Sequence, residues 1–208
     1  MTVQQVNIDP VNEHVLELKI KGLTGLICHN FSEKSRKEMR DKHLQIAKGP
    51  RGVKDIEGEY EAAFYHLEGG GYGFPCSAFR NAAIRAAKSV NGMTMIDTSQ
   101  WFFVLADARD TTNIDCVRID CKKVTAREDV VRLKGGAADL RYRPELIDWS
   151  ATLNISYDAD MISPDMLANL FQRAGYSVGV GDWRPERKGT AGRFSIAAQE
   201  SAVTAEAA

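Results

Sequence analysis

The sixteen residues GVGDWRPERKGTAGRF, Gly179 to Phe194, hold four cationic side chains, Arg184, Arg187, Lys188 and Arg193, and one tryptophan, Trp183. Four glycines are interleaved with them. A tight loop uses a glycine or two and needs no cations. Guanidinium forks match phosphate oxygens, glycine lets a second backbone approach closely, and an aromatic face stacks a base for roughly 1–3 kcal/mol. The combination points to binding of a nucleic acid rather than to a reaction, although a tryptophan beside a loop more often covers the end of a core.

A second cationic segment is VTAREDVVRLKGGAADLRYRPEL, Val124 to Leu146. Arg132, Lys134, Arg141 and Arg143 stand here, with Tyr142 between two arginines. Arg-Tyr-Arg suits a single strand, guanidinium to phosphate and ring to base. Acids are present too, Glu128, Asp129, Asp139 and Glu145, so an exposed hairpin with local ion pairs explains the same residues. Further cations fall on two expected helices. Lys34, Arg36 and Arg40 lie on a segment after Ser32 with few apolar anchors, which also reads as a solvated surface helix. Arg80 and Arg85, with Lys88, lie on the wetter side of the alanine-rich AFRNAAIRAAKSV.

Candidates for catalysis are few. His29 follows a strand-like LIC and precedes Phe31-Ser32, a position for a general base in metal-independent RNA cleavage; a packed or surface histidine is the plainer explanation. Ser77 has no G-x-S-x-G setting. GGGYG lacks the Gly-Lys-Ser/Thr that would make it a phosphate loop, and no HExxH occurs. Cys28, Cys76, Cys116 and Cys121 show no CxxC spacing, so reduced thiols in a cytoplasmic protein are expected. Neither a metal nor a cofactor is expected.

The elements that must position these residues follow from periodicity. The 208 residues are 44% hydrophobic and 26% charged, which suits one globular domain with a sizeable core. The net charge of −1 means that any basic surface is local. No apolar run is long enough to span a bilayer, and MTVQQVNIDP lacks the features of a signal peptide. HVLELKI and WSATLNISY alternate and predict half-buried strands over 14–20 and 149–157. WFFVLA predicts a central strand over 101–106, and VRIDCK another over 117–122. Ser77 is expected to cap the helix that follows it. Ser163-Pro164-Asp165 predicts a helix start and Gly175 its end, with strands at 176–180 and 193–197. Helices are expected from Ser32 to about Ala47 and from Ile56 to Leu67, and basic KGPRGVK reads as a mobile loop. From Val124 to Asp148 the apolar period fails, which predicts a long loop or arm.

The resulting order approximates βαββαβ, an α+β plan of ferredoxin-like or RRM-like type. It is interrupted by two long insertions, about 22–75 and 124–148, of a length that usually carries function. One domain over 1–198 and a disordered tail over 199–208 complete the expected organisation.

FPCSAFRNAAIRAAK, Phe74 to Lys88, resembles the P-x-S-S-x-K-G-x-x-R helix start of RAMP-superfamily CRISPR proteins, particularly the Cas7-like backbone subunits. Pro75, Ser77, Arg80, Ala82 and Arg85 match, with Ala82 where that family often has glycine. The segment Gly179 to Phe194 is similar to the superfamily's G-G-x-x-x-x-G-x-G-R loop through Gly179, Gly181, Gly189, Gly192 and Arg193. The glycine pair is split by Val180, and Asp182-Trp183 intervenes. Nearly the whole chain also resembles a group of uncharacterised tailed-phage and prophage proteins, with segments such as HNFSEKSRKEM and DLRYRPELIDWS. The resemblance implies a ferredoxin-like core, side-by-side assembly and a groove along a single nucleic-acid strand. It carries over no ribonuclease activity, because no matching catalytic residue is visible.

The sequence thus predicts a non-catalytic protein that binds single-stranded RNA or DNA, self-assembles as a homo-oligomer along the strand, and is phage-encoded and cytoplasmic, without a membrane partner. The alternatives are an endoribonuclease using His29, and a phage structural or host-interaction protein without nucleic-acid binding.

Overall fold

A computed structural model describes residues 10–31, 33–46, 55–132, 135–136 and 138–197. The basic loop expected at 48–54 and the tail at 199–208 lie outside these residues.

Strand β1 (Glu13–Gly22) buries Leu18 and Ile20 and turns Val15, Glu17 and Lys19 outward. That is the two-residue alternation of a sheet with one face on the core. Its partners come from the far end of the chain. β9 (Ser150–Asp158) pairs along one edge, with Leu18 opposite Leu153, and β10 (Phe194–Ile196) along the other. β4 (Phe102–Val104) adds to the outer side of β9, giving an antiparallel sheet in the order β10-β1-β9-β4.

Two helices cover this sheet and pack against each other, α3 (Cys76–Ala86) and α5 (Pro164–Ser177). α3 presents Ala82, Ala83 and Ala86, whose small side chains permit a close approach. α5 begins at Ser163, whose hydroxyl accepts from the Met166 amide, with Pro164 in the first turn. It buries Leu167, Leu170, Phe171 and Ala174. The fully buried rings of Phe79, Trp149 and Phe194 form a triangle with centroids 6.2–6.5 Å apart. Gly175 lies so close to β10 that a Cβ there would sit 2.0 Å from the Phe194 carbonyl oxygen.

Smaller sheets flank this core. β2 (Leu26–Ile27), β8 (Ala138–Ile147) and β7 (Lys123–Arg132) form one in the order β2-β8-β7. β3 (Tyr72–Pro75), β6 (Asp115–Ile119) and β5 (Ala108–Arg109) form another in the order β3-β6-β5. The remaining helices are α1 (Glu33–His43), α2 (Ile56–Ala62) and α4 (Met95–Trp101). The fold is therefore mixed α+β with antiparallel sheets. No helix among the described residues is long and apolar enough to cross a membrane.

Several expectations are corrected. The segment 124–148 is no loop but a hairpin of two ten-residue strands. Much of it stands away from the core, so neither face shows an apolar period. Trp101 ends a helix that Thr94 starts, its hydroxyl accepting from the Asp97 amide; the strand that follows is an edge of the sheet, not its centre. The strand expected at 117–122 runs over 115–119 and pairs outside the main sheet. α3 starts at Cys76, so Ser77 is not its cap. α2 stops at Ala62 rather than Leu67. Residues 176–180 form no strand: α5 continues to Ser177, and the Gly179 amide closes on the Ala174 carbonyl at 2.8 Å, with Gly179 at φ +71°. Gly179, not Gly175, provides the left-handed stop.

Candidate nucleic-acid interface

The loop that follows α5 is folded on itself. The Val180 amide donates to Gly192, the Ala191 amide to Trp183, and the Asp182 amide to Ile27 of β2. Gly192, at φ +66°, has no room for a side chain, since a Cβ would lie 1.6 Å from the Val180 carbonyl oxygen. The glycines therefore serve the loop's own crossing as well as any approach by a ligand. The cations stand on a fixed platform rather than on free backbone.

The hairpin docks on this platform through Asp182. Its Oδ2 is shared by the guanidinium of Arg143 and by His29 Nδ1 at 3.2 Å. Arg143 is 3% exposed and donates its second nitrogen to Asp129 Oδ2 at 2.8 Å. Asp129 also accepts from Arg127 at 3.0 Å, and Arg127 reaches Glu145 at 3.0 Å. In the β7–β8 register Arg127 stands directly opposite Arg143. Like charges in that position repel, and Asp129 between them relieves the repulsion. The hydrogen bond from His29, then the Arg143 charge and the Trp183 amide, hold the Asp182 carboxyl well below the usual carboxylate range against the cost of burial. Asp129 is likewise lowered, first by Arg127.

An ionised carboxylate only accepts, so His29 Nδ1 is the donor in this contact. Nε2 lies 3.5 Å from Arg141 Nη1. His29 also lines a cleft of about 400 Å³ between the first turns of α3 and the 178–186 loop. Pro75, Ser77, Asn81 and Arg85 form one wall; Gly179, Gly181, Asp182, Arg184 and Glu186 form the other, with Tyr65 and Phe74 beside them. Arg85 ties the walls by pairing with Glu186.

The structure thus brings together His29, Arg141, Arg143, Trp183, Arg184 and Arg85, which the sequence spreads over more than half its length. Trp183 is 50% exposed at φ +54°, with the Arg127 guanidinium 5.9 Å from its ring. The side chains of Arg187, Lys188 and Arg132 are exposed and make no hydrogen bond or ion pair with another described residue. Arg193 lies 5.0 Å over the Tyr176 ring. Tyr142 is half-buried in β8.

Other expected ligands hold the fold. Arg80 caps the end of α4, donating to the Phe102 carbonyl at 3.0 Å and to that of Ser99, and its guanidinium lies 4.7 Å from the Phe103 ring. Arg36 ties α1 to the turn around buried Asp110, through Thr112 Oγ1 at 2.9 Å and Asn30 Oδ1 at 3.3 Å. Arg40 is exposed on α1, which also carries Lys34; Lys134 lies outside the described residues. Among the described residues no three His, Cys, Asp or Glu side chains are placed to hold a metal ion.

Sequence reasoning named Asp129 only as a local ion-pair acid and missed the other acids that organise the site, Asp182 and Glu186. A signal was present: Asp182 and Glu186 are the two acids of the cationic loop, each within two residues of an aromatic or arginine that it fixes.

No family model and no curated protein matches the chain. Solved structures do match it; one is the crystal structure of Cmr6 from Pyrococcus furiosus, 10% identical, with 90% of this chain and 100% of that chain covered at a TM-score of 0.42.

Proposed function

We propose that the protein is a non-catalytic binder of single-stranded nucleic acid, RNA or DNA, built as one domain on a ferredoxin-like core with two insertions. The strand order β10-β1-β9-β4 with α3 and α5 in a βαββαβ sequence supports the core. The observation that carries the function is the docking of the hairpin on the glycine loop through Asp182. In this reading Arg141, half-exposed Trp183, and Arg187 and Lys188, whose side chains pair with no described residue, form a cationic track with a stacking ring. Arg132 extends the charge along the hairpin. Arg143 contributes by holding the platform and Arg80 by capping α4, neither by touching phosphate. Binding along a strand favours repeated copies, so a homo-oligomer on long strands is part of the proposal. Titration of a labelled oligonucleotide at several salt concentrations tests it: affinity that falls steeply with salt is expected, and a flat response or no binding at low salt removes the reading.

A second reading rests on the His29–Asp182 contact, which orients the imidazole as a general base requires. Arg141 faces Nε2 and must move for that base to act. RNA cleavage that vanishes in His29→Ala favours this reading.

A further inference from the structure

The cleft between α3 and the glycine loop has a carboxylate at its cationic end. Glu186 Oε2 accepts from Arg184 Nε at 3.0 Å and Nη2 at 2.8 Å, and Oε1 accepts from Arg85 Nη1. Each oxygen is thus taken by a different guanidinium, as two oxygens of a phosphate would be. Arg184 is fixed in place by a further bond to the Gly181 carbonyl at 3.0 Å. A third cation, Arg187, has no described partner. Burial first, then the charges of Arg187 and Arg85, lower the pKa of Arg184 against the opposing charge of Asp182.

We propose that Glu186 is an internal competitor for this site: its carboxylate occupies Arg85 and Arg184 until a phosphate group displaces it. The inference rests on the nucleic-acid reading for its ligand class and adds how the site is held empty of weaker anions. Three considerations favour displacement over a permanent structural pair. Arg85 is about half exposed, so its arm of the pairing is worth little, whereas Arg184 and Glu186 are more enclosed. A terminal phosphate monoester, unlike the singly charged diesters inside a strand, carries about −1.5 to −2 charges against one for the carboxylate. Glu186 sits in the single short turn Pro185–Arg187, followed by Lys188 at φ +63°, so its side chain swings out without disturbing α3 or the sheet. The volume of about 400 Å³ admits one nucleotide-sized group. The Arg85–Glu186 and His29–Asp182 pairs tie cleft residues across it, so a strand running through must open them whereas a single phosphate need open only the first.

The test is equilibrium binding of inorganic phosphate, a nucleoside monophosphate and a single-stranded oligonucleotide to the wild type, Glu186→Gln and Arg85→Gln, with melting temperatures recorded. Glu186→Gln is expected to tighten phosphate and monophosphate by up to about fivefold, an exposed pair's ~1 kcal/mol converted at 1.4 kcal/mol per decade. Arg85→Gln is expected to weaken both at an unchanged melting temperature, and it decides the matter should the first variant fail to fold. Unchanged or weaker phosphate binding by Glu186→Gln overturns the inference, as does unaltered binding by Arg85→Gln. If the oligonucleotide binds while phosphate ignores both substitutions, the inference fails and the strand reading stands. If phosphate binding tightens while no oligonucleotide binds, the strand reading fails and the inference stands.

Discussion

Arg143 and Asp182, 39 residues apart in the chain, form the ion pair that fastens the β7–β8 hairpin to the glycine loop. The arginine is buried and the aspartate is not, so the pair is asymmetric: removing the acid leaves a buried cation with Asp129 alone. Asp182→Asn is expected to destabilise the protein by roughly 1–3 kcal/mol, the cost of an under-satisfied buried group. In a double-mutant cycle with Arg143→Met the two changes should couple by about 0.5 kcal/mol or more. Additive effects in urea unfolding would mean the hairpin is held elsewhere.

Acid should release the same contact. Asp182 and Asp129 both have folded pKa values below their ordinary value. Groups depressed on folding contribute stability that is complete above the unfolded pKa, about 3.9, and lost as pH falls below it. Melting temperature is therefore expected to drop below about pH 4, and the Asp182→Asn, Asp129→Asn double variant to show a shallower drop. Equal acid slopes in the two proteins would contradict this.

Binding should depend on the exposed cations and spare the fold. Replacing Arg187 and Lys188 together by glutamine is expected to lower oligonucleotide affinity and to reduce the salt slope by about 0.7 per lost phosphate contact, with stability within about 0.5 kcal/mol of wild type. Arg143→Met should instead lower stability. If affinity is untouched by the loop pair, the strand does not cross that loop.

The thiols should differ in reactivity. Burial pushes Cys76 up to about 11 and Cys116 to about 12, and Cys28 further still. Cys121 is raised as well but is partly exposed. Iodoacetamide at pH 8 is expected to label Cys121 first and the others only on unfolding, read by peptide mass. Early labelling of Cys28 would place it outside the core.

Long strands should collect several copies. Mass in solution is expected to rise with strand length; one protein per strand at every length would leave a single-site module.

What was legible in the sequence is what the core imposes. β9 and α5 bury one face each, and their apolar spacing records it. The hairpin was legible only as an alternative to a loop or arm, because pairs such as Asp129 with Arg141 and Glu128 with Tyr142 leave no hydrophobic rhythm. The helix at 95–101 was hidden by the apolar run that follows, although Thr94-x-x-Asp97 marks its start. His29, Arg141, Arg143 and Trp183 were each visible as residue types. Their meeting was not, because it depends on two acids whose partners lie far away in the chain.

The strand β1 lies between β9 and β10, and both follow it by well over a hundred residues of chain. At about 5–20 residues per second on the ribosome, β1 waits on the order of ten seconds with both edges unpaired. Its outward Glu17, Lys19 and Lys21 then act as a guard against sticking to neighbouring nascent chains. Neutralising them should cost yield during synthesis while leaving the finished protein's melting temperature nearly unchanged.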